Sequence, residues 1–184
     1  MGLWRVFYAD WQMECCGTPF SVGDEVSWPL LLDEGGEALG GGWSGEIGEI
    51  TATVEHVRDD GAEIRVLRAD DGLVVALGAD PEDDVPSDGV SSGGDGVRPG
   101  PGRRVTRSGL LTVERHGARW PETTGTVRTI HLVHQDFAEI TPGSHTREPV
   151  PASRSSEAVD RCPKWFGEGR VGVLAELHVP GPRP

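Results

Sequence analysis

No apolar stretch in these 184 residues approaches the ~18 that a membrane-spanning helix needs. The opening MGLWRVFYADW has no apolar run of signal-peptide length, and Val6 stands where a myristoylation signal requires Ser or Thr. Only three cysteines are present, an odd number without a Cys-x-x-Cys pair. That excludes a disulfide framework and points to a reducing cytoplasm. Neither a Gly-x-Ser-x-Gly elbow nor a phosphate-cradling Gly-rich loop before a helix occurs, so no familiar catalytic motif names a reaction. Asn is missing altogether, and Lys164 is the single lysine against sixteen arginines, a bias that reads as GC-rich coding background.

Glycine and proline are plentiful instead: 27 and 14 residues beside an apolar fraction of 36%, which leaves part of the chain with too little to bury. The formal charge of −13 is unevenly spread. Residues 1–97 carry 21 acids against 4 arginines, a net −17, whereas residues 98–184 carry 13 bases against 9 acids, a net +4. Most of such a surface repels nucleic acid and anionic membranes. The exception is RPGPGRRVTR, whose Arg98, Arg103, Arg104 and Arg107 form either a solvated counterweight to the acids before them or a dock for an acidic partner.

Alternation with period two dominates, and helical periodicity is nearly absent. WRVFYADW (4–11) is aromatic and β-rich, and Val26, Trp28 and Leu30 of VSWPL face one way until Pro29 ends the strand. Gly23-Asp24 between them predicts a two-residue hairpin. Residues 48–58, 62–69 and 73–77 are separated by Asp59-Asp60-Gly61 and Asp70-Asp71-Gly72, the pattern of a three-stranded antiparallel meander. Residues 79–109 are Gly, Pro, Ser and Asp with few apolar side chains and predict a disordered loop. Strands are expected to resume at 110–116 and 125–140. An irregular linker follows at 141–160, and a last strand, 171–179, buries Val171, Val173, Ala175, Leu177 and Val179 on one face. The expected fold is therefore mainly β: a small antiparallel barrel, one unit over 1–179, with long loops and a short tail at 180–184. Gly45-x-Ile47-x-x-Ile50 and Gly125-x-Val127-x-x-Ile130 share a Gly-x-β-x-x-Ile pattern that suggests two equivalent bent strands.

The phrase F-x-V-G-D-x-V (Phe20–Val26) with a later G-x-V-x-x-I resembles the first turn and mid-sheet bend of SH3-like small barrels, a likeness of fold only. The segments DWQMECCGTPFSVGDEVSW, ERHGARWPETTGTVRTI and DRCPKWF together resemble a family of actinobacterial proteins known as a domain of unknown function. That resemblance implies that 1–78 and 109–179 form one unit and brings no catalytic residues with it.

Chemistry has few places to reside. Cys15 and Cys16 in an extended segment would point to opposite faces, one thiol inward and one outward, and could not share a metal. A turn at Gly17-Thr18-Pro19 could instead swing both to one side. There, with Cys162 and His116, they would suit zinc, copper or a mercury-type soft ion. His131 and His134 lie three apart on a strand and face opposite ways, which disfavours a chelate, while His56 reads as a core or rim histidine. Among the tryptophans, Trp43 and Trp165 sit in Gly-rich surroundings and are expected at the surface, where with Arg103 and Arg104 they could contact a protein or peptide. Two functions follow: a non-enzymatic β-barrel binding module, or a thiol-based soft-metal site.

Overall fold

A computed structural model describes residues 1–35, 42–78 and 101–181. The chain is mainly β, with twelve strands and one helix among the described residues. The meander expected from the Asp-Gly turns is present as β4 (Gly48–Asp59), β5 (Ala62–Ala69) and β6 (Val74–Leu77), paired antiparallel in that order. Asp60 and Gly61 both take positive φ, 46° and 86°, the backbone that lets a two-residue loop follow the twist of its strands.

The remaining large elements are β1 (Gly2–Ala9), α1 (Asp10–Cys16), β2 (Glu25–Trp28), β3 (Leu30–Asp33), β7 (Arg104–Val113), β8 (Thr123–His134) and β12 (Arg170–Val179). Ten strands make one sheet in the order β11-β8-β12-β1-β7-β3-β6-β5-β4, β11 being Ser155–Val159, with β2 added on β8. β7 also pairs with β4, so β4, β5, β6, β3 and β7 form a closed ring of pairings. The expectation of a purely antiparallel sheet is corrected: β1 runs parallel to β7 and β3 parallel to β6. No hairpin joins β1 to β2 either. The turn at Val22-Gly23 is real, with Asp24 N–H donating to the Ser21 carbonyl at 3.1 Å, but it leads into a strand that pairs with β8.

Alternation places side chains as expected over most of the sheet. Val6 and Tyr8 enter the main core with Trp28, Leu30, Ile50, Val54, Val127 and Leu177, while Phe7 faces the other side with Trp43, Leu110, Val133 and Val171. Val171 thus departs from its predicted companions. A bulge between Arg170 and Gly172 inserts an extra residue and turns Val171 to the opposite face.

Two polar stretches also carry strands. Of the expected loop 79–109, residues 79–100 lie outside the described residues, but Arg104 onward is strand β7 bonded to β4. Within the expected linker, Arg147–Pro149 (β10) pairs with Phe137–Glu139 (β9), and β11 pairs with β8. The two glycine motifs are not equivalent, since Gly45 lies in a turn and Gly125 inside β8. Among the described residues no helix is long and apolar enough to cross a membrane.

Candidate metal centre

Because β1 and β7 are parallel neighbours, Val6 beside Leu111 and Phe7 beside Thr112, both leave the sheet at the same edge. β1 continues into α1, and β7 continues into Glu114-Arg115-His116. One parallel contact thereby closes a separation of about a hundred residues and delivers Cys15, Cys16 and His116 to one place.

The helix is short and lacks a side-chain N-cap. Asp10 lies in its first turn and accepts the Trp11 N–H at 2.7 Å. Gln12 and Met13 are buried beneath it. At its other end Gly17 N–H donates to the Gln12 and Met13 carbonyls, both at 3.0 Å. A Cβ on Gly17 would stand 2.6 Å from Met13 Sδ and 2.7 Å from Tyr8 Oη, so only glycine fits that approach. Lys164 Nζ then donates to the Met13 carbonyl at 2.7 Å and to the Gly17 carbonyl at 3.0 Å, and Phe166 N–H donates to Glu14 Oε1 at 2.8 Å. The RCPKWF segment therefore braces the C-terminal turn, where a cation is also favoured by the helix dipole.

An extended course through the two cysteines is thus corrected to a helix. Successive helical residues turn about 100° around the axis, not 180°, so adjacent side chains occupy neighbouring flanks. Both sulfurs converge on one atom: Cys15 Sγ lies 3.7 Å and Cys16 Sγ 3.6 Å from His116 Nε2. All three donors lie within 4.8 Å of one another, and all three residues are exposed. The Trp11 ring stacks on the imidazole at 4.9 Å between centroids, one helical turn before Cys15. Partial withdrawal from water pushes the Cys16 thiol upward and the adjacent Cys15 thiol adds to this, while Arg115 and Lys164 oppose it. Arg115 itself is turned away, donating from Nε to Tyr8 Oη at 2.7 Å.

Cys162 lies elsewhere. It is fully buried in the main core and held by its own N–H to the Phe20 carbonyl at 2.8 Å, and burial pushes its thiol up to about 12. The expected contact tryptophans also part company. Trp43 is 2% exposed, packed on Phe7 at 4.9 Å with the Arg154 guanidinium 4.2 Å over its ring. Its placement at the surface is corrected, because it covers the second face of the sheet. Trp165 is 69% exposed, with Lys164 Nζ 5.7 Å from its ring. Arg103 is exposed, and Arg104 pairs with Asp70 at 2.7 Å. His131 and His134 stand on β8 as the strand reading required, and His56 meets Glu63 beside the β4–β5 turn.

Gln12, Glu114 and Trp11 belong to the setting of the site, and sequence reasoning did not find them in that role. Trp11 and Cys15 are four apart, a helical spacing, but a seven-residue helix is too short to announce its period.

A family model described as a family of unknown function, DUF6578, matches residues 2–179. No curated protein and no solved structure matches the chain.

Proposed function

For a chain that belongs to this family of unknown function, chemistry has to be argued from the site, and we propose that Cys15, Cys16 and His116 bind a soft metal ion of the zinc or copper(I) class. One observation carries this reading: two thiols converge on a single imidazole nitrogen. A neutral ring nitrogen offers one lone pair and can accept one S–H bond in line, and Cys16 Sγ also has the Gln12 carbonyl at 3.6 Å as an acceptor. Hydrogen bonding therefore does not require both sulfurs to face the ring, whereas a shared ion does. Thiolate and imidazole ligands at 2.3 and 2.0–2.1 Å around a tetrahedral ion stand about 3.6 Å apart, beside the 3.6 and 3.7 Å separations here. Two sulfurs and one nitrogen also suit soft ions over magnesium or calcium. The scaffold is read as a small barrel, supported by the closed ring of five strands.

The test titrates reduced protein with Zn(II) and Cd(II) while free thiols are counted. Binding should protect the two exposed thiols, Cys15 and Cys16, Cys162 being shielded by burial with or without metal. Cys15→Ser, Cys16→Ser and His116→Ala should each weaken it by more than the about 10–100-fold that the loss of an outer-shell partner costs, and Cys162→Ala should leave it unchanged. Two thiols that stay equally reactive at saturating Zn(II) would defeat the reading.

A further inference from the structure

We infer that Gln12 and Glu114 are positioning residues for this centre, holding His116 with Nε2 toward the thiols and Nδ1 toward a carboxylate; the inference rests on the soft-metal reading. Gln12 stands on α1 between the sheet edge and the cysteines, only 4% exposed. Its side chain grips the opposite segment twice. Gln12 Oε1 accepts the Arg115 N–H at 2.8 Å, and Gln12 Nε2 donates to Glu114 Oε2 at 3.4 Å. The buried amide thus ties the helix that bears two ligands to the turn that bears the third.

Glu114 passes that constraint on. Its Oε1 accepts the backbone N–H of His116 at 2.6 Å and lies 3.9 Å from the ring's Nδ1, beyond a direct hydrogen bond. A ring that coordinates through Nε2 must carry its proton on Nδ1, and the carboxylate stands on that side of the ring, where its negative charge favours a proton. Trp11 stacks on the ring with the two planes 30° apart and limits its swing. Three groups that bind no metal therefore bear on the plane and reach of one that does, and one of them places a negative charge on its Nδ1 side.

The experiment measures Zn(II) affinity of the full chain by chelator competition, with the unfolding midpoint of the metal-free protein alongside. Glu114→Ala is expected to lose about 10–100-fold in affinity, the usual effect of removing such a partner. The metal-free midpoint should fall modestly, because Gln12 Nε2 and the His116 backbone N–H lose their acceptor, and Glu114→Asp should recover part of the lost affinity. Nitrogen NMR of loaded wild type should show His116 metal-bound at Nε2 and protonated at Nδ1. Gln12→Met, which keeps bulk without the amide, should weaken binding in the same direction. If Glu114→Ala unfolds, Glu114→Gln decides, with a several-fold loss expected. Zn(II) affinity within twofold of wild type for the folded Glu114 variant, or an Nδ1-bound metal, overturns the inference. Failure of wild type to bind Zn(II) at all sinks the soft-metal reading itself, so the two failures are distinguishable.

Discussion

Cys162 and the Cys15-Cys16 pair share a side chain and little else. Cys162 sits at 0% exposure among core residues that offer its thiolate no cation, and burial lifts its thiol from 9.0 to about 12. Such a group favours the folded state while both states hold the proton, and that favour is lost once the unfolded chain ionises and the folded one does not. Stability should therefore decline between about pH 9 and 12, and the decline should be shallower in Cys162→Ala. Urea denaturation of both proteins across that range checks it, and parallel curves would contradict the assigned environment. Residue type alone picked out Cys15, Cys16 and His116, because thiol and imidazole are the side chains a soft ion requires. It could not separate Cys162 from them, nor place Trp43, since a glycine-rich neighbourhood says nothing about what packs over a ring. Phe7 and Arg154, distant in sequence, decided that.

Elements were legible where one face is buried and the other wet. β4 shows this, with alternating burial and an Asp-Gly turn after it, whereas β6 is buried on both faces and was marked by its apolar run and the Asp-Gly turn before it. They were hidden where main-chain bonding alone holds them. β11 is almost wholly exposed and pairs with β8 through its backbone, and the first half of β7, Arg104–Ser108, holds Val105 as its single apolar residue. α1 is the most consequential case. Seven residues make fewer than two turns, too few for an isolated helix to persist, so its stability has to come from outside. Lys164 supplies part of it through the Met13 and Gly17 carbonyls. Lys164→Met, which keeps the aliphatic stem, should lower stability by about 1–3 kcal/mol, the scale of charge-assisted hydrogen bonds. Hydrogen exchange at the Gly17 amide should accelerate with it. An unchanged exchange rate at Gly17 would show that the helix end does not depend on this cation.

For the whole molecule, the proposed ligands Cys15, Cys16 and His116 come from segments that only the folded sheet brings together, α1 after β1 and the turn after β7. Unfolding separates them and leaves at best the vicinal thiols. Zinc should therefore stabilise the native state by mass action, about 2.7 kcal/mol when free metal stands at a hundred times Kd. A tenfold weaker site would gain about 1.4 kcal/mol at the same free metal, so the gain should fall to that or less in Cys16→Ser. Urea unfolding with and without Zn(II) reads this out, and equal midpoints for loaded and metal-free wild type would mean that folding does not build the site.

By itself the sequence determined a mainly β chain, the three-strand meander, the buried face of Trp28 and Leu30, and the residue types from which a soft-metal site can be made. These follow from local physics: alternating side chains share a face, Asp-Gly turns reverse the chain, and sulfur and imidazole bind soft ions. The tertiary structure decided the parallel pairing of β1 with β7, the helical course of 10–16, and the meeting of two thiols with His116. Each depends on contacts far apart in the chain, whose partners no local pattern records, and a single turn from strand to helix changes whether neighbouring sulfurs diverge or converge.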